Sequence, residues 1–200
     1  MRKLAFSLAA AALLAAVTYP VIALGAPEQS LAAPAATFAP SSTRVALDDA
    51  TIVAIFDAAN TADVETGDLA AQRGNSKEVR DMGAMFARDH RMVRQQGRDL
   101  AKKLGVTPTP PKDDQSAKQL AETMGLLRAK HGADFDKAYL DHEVAFHKAV
   151  IDAINQQLLP AIKNEELKAL VQKVAPAFQA HMLAAQSLDK KLFGEQASSK

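Results

Sequence analysis

Four side chains that can do chemistry fall one to each of four amphipathic segments: Glu65, His90, His147 and His181. His90 is in register with Val79, Met82, Phe86, Val93, Gly97, Leu100 and Leu104, which recur at spacings of three and four, so its ring points into an apolar helix face. His181 keeps the same register with Leu170, Val174, Phe178 and Leu188, and His147 sits on the segment whose apolar face is Phe135, Tyr139, Phe146, Val150 and Ile154. Three imidazoles and a carboxylate make a sensible ligand set for one divalent transition metal: zinc, iron, copper or manganese. The chain has no cysteine, so disulfides, thiolate sites and cysteine nucleophiles are excluded and any metal must rely on nitrogen and oxygen. His142 and Glu143 lie within a turn of His147, and Glu143 can add a second carboxylate through its i,i+4 spacing.

A buried histidine is also satisfied by a neighbouring carbonyl or carboxylate, so the same residues admit a metal-free network of Glu65 and the imidazoles. Level along the bundle bears on the choice. Counted from the turn near Asn75, Glu65 lies 10 residues before and His90 15 after, a mismatch of roughly 7 Å at 1.5 Å per residue. Side chains lean toward their helix N-termini, which narrows that gap and a similar one between His147 and His181. Asp89, about 100° around the helix from His90, is expected in solvent. His131 reads as a helix-end residue, and Met82, Met85 and Met92 as core or boundary fillers.

The elements that must position these groups are helices. The first runs from about 47 to Arg73 and stops at Gly74; Asn75 with Glu78 has capping-box spacing for the second, about 76–104, which ends at Lys102-Lys103-Leu104-Gly105. Prolines 108, 110 and 111 force an extended crossover, which lets the next helix start at the far end of the bundle. A shorter helix, about 115–130, precedes a third main helix from Asp134 to about Leu159, stopped by Pro160. The last is capped by Asn164, reaches about Phe193, and carries Pro176, which is expected to kink it. The fold class is therefore all-α: an up-down four-helix bundle, residues 47–193, with a short extra helix before the third main helix.

Outside the bundle, residues 1–26 have the basic start, apolar run and small-residue end of a secretory signal peptide, which places the mature chain in the periplasm or outside the cell; an uncleaved membrane anchor is the alternative. Residues 27–46 are an Ala/Pro/Ser-rich linker, and 194–200 are expected to be a disordered tail. Without Arg2 and Lys3, 22 basic residues face 23 acidic ones, a balance that gives no bulk attraction to nucleic acid or a membrane surface. Arg88, Arg91, Arg94, Arg98 and Lys102 form a basic flank diluted by acids, expected as a solvated face with intrahelical pairs. No Gly-rich phosphate loop or Gly-x-Ser-x-Gly elbow is present.

Val64-Glu65-Thr66-Gly67-Asp68-Leu69-Ala70, Ser76-Lys77-Glu78-Val79, Met85-Phe86, Asp89-His90, Phe135-Asp136-Lys137-Ala138-Tyr139 ahead of His147, and Pro176 ahead of His181 occur in an order and spacing that resemble the exported bacterial domain-of-unknown-function family 4142, over about residues 47–193. The resemblance implies a ferritin-like four-helix fold and a periplasmic or envelope location, and brings no established activity. Glu65, His90, His147 and His181 match its polar core positions. Di-iron ferritin-like proteins use Glu-x-x-His pairs, whereas Ala87 and Phe178 stand three residues before His90 and His181, so a mononuclear site or none is expected. Three functions follow: a non-enzymatic bundle binding a metal ion in its core, a structural module docking onto an envelope protein partner, and a metal-dependent oxidoreductase.

Overall fold

The computed structural model describes residues 47–194, all of whose regular elements are helical. The expected leader, the linker to residue 46 and the tail beyond Gly194 lie outside the described residues.

Asp48 starts the first helix by accepting the Thr51 N–H at 2.8 Å, and α1 runs Asp49–Arg73. The second helix, α2 (Lys77–Leu104), is capped by Ser76, whose hydroxyl accepts the Val79 N–H at 3.2 Å, one residue later than the capping box at Asn75 predicts. Gly105 closes it in the left-handed conformation, φ 65°. The crossover passes the start of α1, where Thr109 N–H donates to the Ala50 carbonyl at 3.1 Å. Helix α3 (Ser116–Arg128) then climbs to the other end, where the Arg73 guanidinium receives it on the carbonyls of Arg128 and Lys130 at 2.9 and 3.1 Å.

The fourth helix, α4 (Gly132–Ala153), starts at that same end, so it runs antiparallel to α1. Its regular hydrogen bonding ends earlier than the expected Leu159: residues Ile154–Leu158 form a π-helical turn before the short α5 (Leu159–Ala161). Pro160 has no N–H, and its ring would press on the carbonyl four residues back, which the wider turn relieves. Asn164 caps α6 (Glu165–Phe193) by accepting from Glu166 and Leu167, and α6 continues as one helix through Pro176. The four long helices thus run up, down, down and up.

Two carboxylates tie the hairpins together in mirror fashion. Asp136 of α4 accepts the Asn75 and Ser76 N–H groups at 2.7 and 2.8 Å, at the head of α2. Asp49 of α1 accepts those of Lys163 and Asn164, both at 2.9 Å, at the head of α6. Each satisfies otherwise orphaned donors where the helix dipole is positive.

Helices α1 and α2 pack backbone to backbone. A Cβ on Gly67 would meet the Gly83 carbonyl oxygen at 2.8 Å, and one on Gly83 would meet that of Gly67 at 2.6 Å. Two apolar clusters fill the bundle. One holds Ile52, Phe56, Ile154, Leu167 and Phe178, and the other Val79, Phe86, Phe135, Tyr139 and Leu140. Between them along the helices lies a buried polar layer of Asn60, Asp63, Thr66, His90, Glu143, His147 and His181.

Candidate metal centre

The polar layer gathers three of the four residues singled out in the sequence. His90, His147 and His181 are buried, and one ring nitrogen of each lies within 4.8 Å of the others. Their ring centroids are 5.1–5.6 Å apart. Phe86 stacks on His181 at 4.2 Å, and Phe178 meets His90 edge-on at 4.9 Å, so both apolar clusters hold the rings in place.

Hydrogen bonds assign the tautomers. The Asn60 amide donates to the Phe56 carbonyl at 2.8 Å, so the Asn60 Oδ1 turned toward His90 is an acceptor and His90 Nδ1, 2.9 Å away, carries the hydrogen. His147 Nδ1 lies 3.0 Å from the Glu143 backbone carbonyl, which can only accept, so it too is an N–H. His181 Nε2 lies 3.3 Å from Asp89 Oδ2. The outer nitrogen of every ring therefore faces an oxygen acceptor. The remaining nitrogens are His90 Nε2 and His181 Nδ1, which are 3.1 Å apart, and His147 Nε2, which is buried with no hydrogen-bond partner among the described residues.

Without a cation, His181 cannot serve both neighbours as a neutral ring. Its single proton is wanted at Nδ1 by the His90 lone pair and at Nε2 by Asp89. Burial, followed by the nearby His147, pushes its pKa below the usual imidazole range, which opposes a second proton. A cation between His90 and His181 removes the conflict by taking the Nδ1 lone pair and leaving Nε2–H for Asp89.

Electrostatics separate the three rings. Burial first, then His147 and His181, hold His90 down to about 2, so it keeps its lone pair. For His147 burial acts downward, but Asp63 and Glu143 outweigh it and raise the ring to about 9. Asp63 is pushed well above the carboxylate range by burial, against the pull of His147. Glu143 is lowered, because hydrogen bonding and charge from His147, with His142 and the Thr66 hydroxyl, overcome its burial.

Glu65 is not in the layer. It is exposed, and the α1 carboxylate that reaches the imidazoles is Asp63, with Oδ2 3.3 Å from His90 Nδ1 and Oδ1 4.0 Å from His147 Nδ1. Two residues along a helix is a rotation of about 200°, so only one of the pair can face inward. Glu143 joins Asp63 and His147 in a second close group, its Oε2 3.3 Å from His147 Nδ1. His142 is buried and stacks on Phe146 but gives no atom to either group. Asp89 also departs from its expected place in solvent. It is half-buried, and it holds His181 with one oxygen while Arg88 donates to the other. Of the basic flank, Arg88 pairs along α2 with Asp89, whereas three others reach across to α1: Arg91 to Asp68, Arg94 to Thr61, and Arg98 to Asp57 at 2.5 and 2.9 Å. His131 stands at the head of α4 beside Arg73. Met82 and Met85 pack at the core boundary, whereas Met92 is exposed.

No helix among the described residues is long and apolar enough to cross a membrane. No curated protein and no solved structure matches the chain. The family model described as a domain of unknown function, DUF4142, matches residues 33–188. With that match spanning most of the sequence, the chain belongs to the DUF4142 family.

Proposed function

We propose that this protein is a metal-binding helical bundle that holds one divalent transition-metal ion at its centre through His90 Nε2, His147 Nε2 and His181 Nδ1. The observation that carries this reading is the pairing of all three outer ring nitrogens with oxygen acceptors, Asn60, the Glu143 carbonyl and Asp89. Such outer contacts fix the tautomer and aim the free lone pair of a metal-ligating histidine. His90 and His181 already stand at 3.1 Å, close to the roughly 3.3 Å between nitrogens that a tetrahedral ion with bonds of about 2.0–2.1 Å requires. Asp63 and Glu143 supply nearby negative charge to a cation in a dry core.

The signal-like residues 1–26 support placing this activity in the periplasm or outside the cell. The up, down, down, up order supports the ferritin-like comparison. Storage or buffering of an ion needs no more than this site; turnover as an oxidoreductase would require a coordination position open to substrate.

Metal analysis of protein purified without a His tag, repeated for His90→Ala and His181→Ala, tests the reading. Stoichiometric zinc, iron, copper or manganese in the wild-type chain and its loss from both folded variants are expected; no stoichiometric metal under any loading condition contradicts it. A metal-free structural module is the second reading, favoured by His147, whose raised pKa lets an imidazolium balance one of the two buried carboxylates without a metal. In that case His90→Gln leaves the protein's envelope partners and phenotype unchanged.

A further inference from the structure

The three-histidine site leaves a set of buried oxygens unused. Asp63 Oδ1 and Oδ2 and Glu143 Oε2 approach imidazole nitrogens at 3.3–4.0 Å but, like the Tyr139 hydroxyl, form no well-aligned hydrogen bond among the described residues, and all three residues are essentially without solvent contact. Glu143 Oε1 accepts the Thr66 hydroxyl at 3.1 Å, which leaves Oε2 free to point elsewhere. One atom each from Asp63, Glu143 and His147 lies within 4.8 Å of the others. Buried carboxylate oxygens left without a partner are costly, and one imidazolium balances one of the two carboxylates, so the other must take up a proton or a cation. One imidazole nitrogen with carboxylate oxygens suits a divalent cation such as zinc.

We propose that Asp63 and Glu143, with the Tyr139 hydroxyl alongside, form a second cation position next to the three-histidine site, and that the His147 ring links the two through its opposite nitrogens. The proposal rests on the three-histidine reading for its neighbour but not for its own ligands. His147 Nδ1 faces the carboxylates at 3.3 and 4.0 Å, and its Nε2 is the free nitrogen of the first group. Binding forms metal–oxygen bonds to Asp63 and Glu143 and a metal–nitrogen bond to Nδ1. With both positions filled, the Nε2 and Nδ1 protons of His147 and any proton on Asp63 leave to solvent, and no electron moves. The Glu143 carbonyl gives up the ring N–H now at 3.0 Å. Four positive charges then meet four negative ones, on Asp63, Glu143, Asp89 and the bridging ring, while Arg88 beside Asp89 is largely in solvent.

The test is zinc stoichiometry in the full chain purified without a tag, titrated with zinc, dialysed, and assayed by elemental mass spectrometry, with circular dichroism as the check on folding. Two ions per chain are expected for the wild type, and one each for Asp63→Asn and Glu143→Gln; if one variant fails to fold, the other decides. One ion in the wild type overturns the second position and leaves the histidine site standing, whereas none overturns both. Two ions retained by the folded variants, or none retained, also overturns it, since the carboxylates are then either uninvolved or part of a single centre.

Discussion

Nε2 of His90 stands 3.1 Å from Nδ1 of His181, while the far nitrogen of His181 faces Asp89 at 3.3 Å. The contact joins α2 to α6 at mid-height, and it places Asp89 outside the ring it orients. Asp89→Asn is expected to weaken zinc binding roughly 10- to 100-fold without changing the number of ions held, the usual effect of losing an outer carboxylate. His181→Gln removes a ligand and should lower that number. Competition against a chelator of known affinity checks both.

Metal affinity should depend on pH through His147. Its pKa of about 9 means that at neutral pH a proton occupies the ring an ion needs. Affinity is expected to rise about tenfold per pH unit through the neutral range and to level off above pH 9. A pH-independent affinity, after correction for the chelator, would count against His147 as a ligand.

The metal-free protein should be most stable near pH 6.5. Between about 2 and the ordinary imidazole value near 6.5, the unfolded chain protonates His90 and the folded one does not, so stability rises with pH. His142 and His181, both lowered, act in the same direction. From there to about 9 the folded chain holds a proton on His147 that the unfolded chain has lost, so stability falls; raised Asp63, whose effect begins at its ordinary value of 3.8, partly offsets the climb below pH 6.5. Thermal unfolding in chelator from pH 4 to 9 checks this, and a steady climb to pH 9 would contradict it.

The glycine contact between α1 and α2 fixes how Asp63 and His90 meet. A methyl at Gly83 would stand 2.6 Å from the Gly67 carbonyl oxygen, so the backbones must part. Gly83→Ala should cost about 1–3 kcal/mol, a fall of several degrees in Tm for a domain of this size. It should also weaken metal binding, as read in the same chelator competition.

Asp136 and Asp49 anchor equivalent helix heads but differ in burial: Asp136 is 2% exposed, whereas Asp49 is half-buried. Asp136→Ala strands two N–H groups away from water and is expected to cost about 3 kcal/mol, with Asp49→Ala costing less. Denaturant unfolding of the two variants gives the comparison.

His90 and His181 were legible in the sequence because each is one polar residue in an otherwise apolar stripe. The carboxylate on α1 was not, because that helix buries Asn60, Asp63, Thr66 and Gly67, so a stripe drawn through apolar residues alone turns the helix and brings Glu65 inward. The series Phe56, Asn60, Asp63, Gly67, Ala70 has helical spacing and small residues where α2 approaches, and it held the missing signal. The place of Asp89 depends on which helix lies beside α2, which no local pattern encodes. The π-turn before Pro160 likewise reflects strain that hydropathy does not record.

X-ray absorption at the zinc edge, on protein loaded with one equivalent, tests the central claim most directly. Three imidazole nitrogens at about 2.0–2.1 Å are predicted, a set that His90→Ala abolishes together with the ion it holds. A spectrum of oxygen ligands alone, or one unchanged by that substitution, would contradict it.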